Sequence, residues 1–128
     1  MAGASNTRAL SIALVVFGLI FVFGIYPLTI VWPSGWSWAP GGEQYLQMIL
    51  GIYATLGVFL LLAARKPLQN LSLIWFTVWS SFVHAGIMAY QSMTDPMQHG
   101  HMIGDVAALF LVAIVLAVLT PRGQAAEV

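Results

Sequence analysis

Protonatable side chains are concentrated in one short stretch of a chain that has few of them elsewhere. Residues 93–110, MTDPMQHGHMIGDVAALF, include Asp95, His99, His101 and Asp105, although only 6% of the chain is charged. His101 and Asp105 are four residues apart, so on a helix they share one face. An imidazole and a carboxylate in this relation can bind a metal ion, act as a base with its orienting partner, or form a hydrogen-bonded pair.

Three further side chains are candidates for the same site. His84 lies about nine residues before the end of a hydrophobic run, which places it roughly 13 Å deep at about 1.5 Å per residue of helix. Met88 follows four residues later and shares its face, and Glu43 stands at the start of another apolar run. We therefore predict a polar core or ligand-binding site from five residues: His84, Met88, His101, Asp105 and Glu43.

A metal centre is one interpretation of this set. His84, His101 and Asp105 could supply ligands to a transition metal ion, and imidazole with carboxylate suits copper or zinc. The chain has no cysteine, which excludes thiolate ligands, disulfides and iron–sulfur clusters. The other interpretation is structural, because an aspartate is costly in lipid unless it is paired. Asp105 paired with His84 or His101 would then lock the third helix to the fourth.

The elements that must position these residues are four hydrophobic runs, over about 9–31, 45–64, 71–93 and 102–120. Each is close to the roughly 20 residues that span a bilayer as a helix. The apolar fraction is 60% and the mean hydropathy is +0.91, far from the composition of soluble domains. Pro27 lies inside the first run and predicts a kink there. The sequence thus predicts an all-α, four-helix transmembrane bundle forming a single integral membrane domain over residues 1–128.

The basic residues predict the orientation of the bundle. All four flank the hydrophobic runs on the same side of the predicted topology: Arg8, Arg65, Lys66 and Arg122. Because lysine and arginine are retained on the cytoplasmic side, both termini are expected to be cytoplasmic. The loops at 32–44 and 94–101, and with them the predicted site, are expected to face outside.

Composition also excludes several classes of function. The net charge is zero and only four residues are basic, so no nucleic-acid partner is expected. The predicted inner half of the bundle has almost no polar side chains, whereas a channel or transporter needs them along the whole path. Asp105 with His101 is a candidate acid–base pair, but no nucleophile motif accompanies it, so the sequence favours a role other than catalysis.

Two segments, SSFVHAGIMAYQSM and HGHMIGDVAALFLVAIVLAVLTPR, resemble a family of small bacterial integral membrane proteins classed as a domain of unknown function. Its members have four helices, a histidine in the third and a G-H-x-x-G-D stretch that opens the fourth. The matching residues here are His84, Gly100, His101, Gly104 and Asp105. The resemblance implies the fold and a location in the bacterial inner membrane. It implies no activity.

Two functional hypotheses follow from the sequence. In the first, the chain is a small membrane protein that binds a metal ion or a small ligand in the outer half of its bundle. In the alternative, it is an accessory or scaffold subunit of a larger membrane complex, and the polar cluster only locks two helices. The expected partners are the lipid bilayer and either other membrane proteins or further copies of the chain.

Overall fold

The computed structural model describes residues 2–37 and 43–121, and within these ranges the chain is helical and contains no strand. The long elements are α1 (Ala2–Leu19), α2 (Ile25–Val31), α4 (Glu43–Ala63), α5 (Leu71–Thr94) and α6 (Asp105–Leu119). The short ones are a π-helical turn (Ile20–Gly24), α3 (Pro33–Trp36) and two 3-10 helices (Pro67–Gln69 and Pro96–Met102). Four helical segments are long and apolar enough to cross a membrane: Thr7–Val31, Gln44–Ala63, Leu71–Thr94 and Pro96–Leu119. The predicted four-helix transmembrane bundle is therefore confirmed.

The helix ends agree with the hydrophobic runs except at two places. α4 and α5 begin and end within two residues of the predicted bounds, whereas α1 begins at Ala2 instead of residue 9. The fourth helix was predicted from residue 102, but α6 begins at Asp105. The helix starts later because the backbone of Gly104 (φ −101°, ψ −112°) leaves the helical region. This separates α6 from the preceding 3-10 helix.

A π-helical turn joins α1 to α2 without interrupting the span. The amide of Ile25 donates to the carbonyl of Ile20, five residues back. Pro27 has no N–H to offer the carbonyl of Phe23, so a regular α-helix cannot form here. The irregularity expected at Pro27 thus lies one turn earlier, as a widened turn of the kind that often occurs at functional sites.

The helices pack as two main pairs, α5 against α6 and α1 against α4, while α4 and α5 meet only briefly. At the α1–α4 crossing, a Cβ on Gly57 would lie 2.8 Å from the carbonyl oxygen of Gly18, so neither position has room for a side chain. Glycines of this kind let membrane helices approach closely. The crossing brings Phe21 within edge-to-face contact of Tyr53, with ring centroids 5.2 Å apart.

One end of the bundle is closed by two short elements, and we call it the capped end. There α3 packs against the 3-10 helix Pro96–Met102. A Cβ on Gly100 would lie 2.5 Å from the carbonyl oxygen of Ser34, and a Cβ on Gly104 would collide with the backbone of Gly35. The backbones therefore touch directly, and α3 is held down over the ends of α5 and α6.

Candidate functional site

His101 and Asp105 form a buried pair at the capped end. His101 Nδ1 lies 3.0 Å from Asp105 Oδ1, and the two residues are 1% and 8% exposed. The contact spans two elements, because His101 belongs to the 3-10 helix and Asp105 is the first residue of α6. A carboxylate in the first turn of a helix also interacts favourably with the helix dipole.

The segment that carries His101 is fixed by its own hydrogen bonds. The Asp95 carboxylate accepts from the amide of Met97 at 3.0 Å, which caps the 3-10 helix. The buried Ser92 hydroxyl donates to the carbonyl of Gln98 at 2.6 Å and so ties the end of α5 to the same segment. His101 therefore rests on an ordered turn and holds Asp105 in a set position.

A second polar pair links α4 to α5. The hydroxyl of Tyr53 is hydrogen-bonded to Nδ1 of His84. Their rings are stacked, with centroids 5.6 Å apart and an angle of 27° between the planes. The pair bridges two helices that otherwise barely touch, so it acts at a place where packing contributes little.

These groups line a cavity at the capped end, with a volume of about 140 Å³. Most of its wall is apolar, and the polar groups on it come from Tyr53, His84, Trp36 and Asp105. An engineered apolar cavity of about 150 Å³ binds benzene or xenon. The cavity therefore has room for one six-membered ring.

Trp36 reaches this cavity from α3. A tryptophan in a loop near a membrane surface is expected to lie in the interfacial belt. Trp36 instead lines the cavity, and its Nε1 is buried with no hydrogen-bond partner among the described residues. Buried indole N–H groups normally have a partner.

A second pocket opens at the surface of the capped end, and we call it the surface pocket. Its lining mixes apolar side chains with polar ones, which include Asp95, Gln98 and His101. His101 thus contributes to the surface pocket while its partner Asp105 contributes to the cavity. The His101–Asp105 pair therefore forms part of the boundary between the two spaces, together with Leu46 and Leu50, which line both.

The structure places four of the five predicted site residues at the cavity or in contact with a residue that lines it. His84, Met88 and Asp105 line the cavity, and His101 stands behind Asp105. Glu43 is the first residue of α4, but its side chain lies outside the described part of the structure. His99 is exposed.

Tyr53 and Trp36 are contributors to the site that sequence reasoning missed. The one signal for Tyr53 was its hydroxyl in the middle of a largely apolar run, which also contains Gln47 and Thr55. Trp36 stands among several loop tryptophans, and nothing in the sequence singles it out.

Within residues 2–37 and 43–121, histidine, aspartate and glutamate side chains do not gather in groups of three or more that could hold a metal ion. His101 and Asp105 meet as a pair, while His84 is engaged by Tyr53. Metal binding by His84, His101 and Asp105 stays a prediction.

The fold and site define a four-helix membrane protein with a small apolar cavity edged by histidine, aspartate, tyrosine and tryptophan. The chain belongs to DUF6632, a family of unknown function whose model matches residues 4–126. The resemblance to an uncharacterised family is thereby confirmed. No curated protein and no solved structure gives a significant match to the chain.

Proposed function

We propose that this protein binds a small, mainly apolar molecule, taken from the membrane, in the cavity at the capped end. The observation that supports this most is the combination of volume and lining. A space of about 140 Å³ with apolar walls receives polar groups from Tyr53, His84 and Asp105 at its edges. Ligand pockets in proteins typically combine apolar walls with a few placed polar groups.

Each polar residue has a distinct part in this proposal. Tyr53 fixes the ring plane of His84 by stacking and by its hydrogen bond. His101 fixes the carboxylate of Asp105 from the side away from the cavity. The binding groups are thus held by second partners before a ligand arrives, which reduces the entropy lost on binding.

A small organic ligand accounts for the geometry better than the alternatives. A metal ion needs three or four ligands around one point, whereas the polar groups here are spread along an apolar wall. An accessory subunit would use its lipid-facing surfaces, and that role does not require a cavity with fixed polar groups. In that role the polar side chains would only hold helices together, and one hydrogen-bonded pair would be enough for that.

The proposal includes a topology in which the capped end faces the outside of a bacterial inner membrane. Support comes from Arg8, Arg65 and Lys66, which are exposed at or near helix ends opposite the capped end. The fourth basic residue, Arg122, lies outside the described residues. A ligand would then enter from the outer leaflet.

Binding of fluorobenzene to the protein in lipid nanodiscs, followed by fluorine NMR, tests the proposal. The blocking variant is Ala108→Phe, because Ala108 lines the cavity and the added ring would occupy it. The matched control is Ala107→Phe, at the exposed neighbouring position on α6. We expect a bound resonance with the wild type and the control but not with Ala108→Phe. Equal binding by all three, or by none, would contradict the proposal.

A further inference from the structure

Building on the proposed function, we infer that the ligand is a lipid-soluble molecule with a single ring that carries hydrogen-bond acceptors, attached to an apolar tail. A quinone with a hydrocarbon tail has this chemistry. Three features of the cavity lead to this class: two hydrogen-bond donors in its wall, its volume, and an apolar groove that continues from it.

The first donor is the indole N–H of Trp36. It is buried in the cavity wall without a hydrogen-bond partner among the described residues. The indole N–H can only donate, and leaving it unpaired in a buried place is unfavourable. A ligand that offers an acceptor such as a carbonyl oxygen would remove this penalty.

The second donor is the imidazole of His84. The phenol of Tyr53 has one O–H to donate and a neutral imidazole has one acceptor nitrogen, so we assign Tyr53 as the donor to His84 Nδ1. A neutral imidazole then carries its proton on the other nitrogen. His84 lines the same cavity, and in this assignment the N–H that it can offer to a ligand is Nε2–H.

The volume of the cavity limits the size of the ligand's ring, and the lining residues limit the charge that the ligand can carry. About 140 Å³ admits one ring but not the four fused rings of a sterol. Phe17 and Phe21 provide aromatic surface for stacking. The described residues that line the cavity include no lysine or arginine, so a phosphate headgroup would find no cationic partner.

An apolar groove continues from the cavity toward the lipid, and we call it the tail groove. It runs along α2 and is lined by Phe23, Leu28 and Val31. Ile20, Trp36 and Ala108 line both the cavity and the tail groove, so the two spaces adjoin. The groove begins at the π-helical turn, where Ile20, Phe23 and Gly24 line it. A hydrocarbon tail laid in this groove would leave its ring inside the cavity.

Three probes separate the parts of the inference: decyl-para-benzoquinone, decylbenzene and tailless para-benzoquinone. Their apparent affinities are measured in nanodiscs from the rise of the thermal unfolding midpoint with probe concentration. The chain contains no cysteine, so the quinones have no thiol to alkylate. We expect decyl-para-benzoquinone to bind at least tenfold more tightly than either of the other two.

Two tryptophan variants test whether the indole N–H of Trp36 donates a hydrogen bond to the ligand. Trp36→Phe keeps an aromatic ring but removes the N–H, and it is expected to weaken decyl-para-benzoquinone binding roughly five- to tenfold and to affect decylbenzene binding much less. Trp75→Phe is the control, because Trp75 Nε1 is also buried without a partner in the described structure but lies away from the cavity. It should leave both affinities unchanged.

The outcomes distinguish this inference from the proposed function. Equal binding of decylbenzene and decyl-para-benzoquinone, or equal effects of the two tryptophan variants, would overturn the ligand class. Fluorobenzene binding could still be intact in that case, and the cavity would remain a general apolar site. Failure of fluorobenzene as well as all three probes would overturn both.

Discussion

The imidazole of His101 and the carboxylate of Asp105 lie 3.0 Å apart across the junction between a 3-10 helix and α6. The two residues face different spaces, since His101 lines the surface pocket and Asp105 lines the cavity. One hydrogen-bonded pair therefore forms part of the wall between the surface pocket, whose lining is mixed, and an apolar cavity. Both residues are almost fully buried, so the pair also contributes to how the capped end holds together.

Breaking this pair is expected to destabilise the protein. His101→Ala or Asp105→Ala alone would leave a buried polar group without this partner, and each should lower the free energy of unfolding by about 3–5 kcal/mol. The double variant should lose less than the sum, with a coupling energy of about 1–3 kcal/mol. Unfolding by SDS titration in mixed micelles measures all three. His99→Ala, at an exposed position two residues earlier, should stay within about 0.5 kcal/mol of the wild type. Additive losses would show that the two side chains are not coupled.

The contact between α3 and the 3-10 helix depends on the absence of a side chain at residue 104. Gly104→Ala would push a methyl group into the backbone of Gly35. We expect a loss of about 1–3 kcal/mol in the free energy of unfolding, because backbone atoms cannot move aside locally. Gly86→Ala is the matched control, since a Cβ there meets nothing within 4 Å. In the middle of α5 it should stabilise the protein by about 0.5–1 kcal/mol.

Displacement of α3 should also open the cavity, and a cysteine probe can report this. The chain lacks cysteine, so Met88→Cys creates a unique thiol at a buried position on the cavity wall. Its reaction with a water-soluble maleimide should be slow in the otherwise wild-type protein and several-fold faster when combined with Gly104→Ala. An unchanged rate would mean that α3 does not close the cavity.

Filling the cavity should raise stability while it removes binding. The ring added by Ala108→Phe has about the volume that the cavity provides. We expect a gain of about 0.5–2 kcal/mol in the free energy of unfolding without ligand, as is usual when a cavity is filled. Ala107→Phe faces outward and should change stability by less than about 0.5 kcal/mol. A strong loss of stability in Ala108→Phe alone would indicate that the space is smaller than described.

The proposed topology predicts which loops a membrane-impermeant reagent can reach. Met97→Cys places a thiol at a position that is 89% exposed on the capped end, and Leu68→Cys places one at an exposed position of the 3-10 helix Pro67–Gln69, at the opposite end. In intact cells, Met97→Cys should react with an impermeant maleimide and Leu68→Cys should not. Both should react once the membrane is permeabilised. The reverse pattern would place the capped end in the cytoplasm.

The bundle could be predicted because it depends on local properties of the sequence. Four continuous apolar runs of spanning length, separated by proline and glycine, require helices in a bilayer. The start of the fourth helix could not be placed in this way. The hydrophobic run continues past the 3-10 helix, and the break at Gly104 results from the close packing of Gly35 against it.

The candidate site could be predicted only in part. His101 and Asp105 are in contact, as their separation of four residues suggested, although they do not share one helix: the 3-10 helix ends at Met102 and α6 begins at Asp105. Trp36 and Tyr53 could not be assigned, because their positions depend on where helices approach closely. The crossing at Gly18 and the packing of α3 bring these aromatic side chains to the cavity, and neither is visible in hydropathy.

The predicted site took its residues from within or just before three of the hydrophobic runs, the second, third and fourth. The short loop between α4 and α5 does not produce extensive packing between them. α4 packs on α1 instead, through the approach of Gly57 to Gly18. Among the side chains that the structure describes, the polar link from α4 to α5 is a single pair, Tyr53 with His84.

Native mass spectrometry of the protein extracted directly from membranes tests the ligand-binding role most directly. The wild type and Ala107→Phe should each carry one added mass of constant value in different detergents, and Ala108→Phe should be measured as the bare chain. Tandem dissociation of the wild-type complex would then give the mass of the released molecule. A wild type measured only as the bare chain, or an added mass that persists in Ala108→Phe, would contradict binding in the cavity.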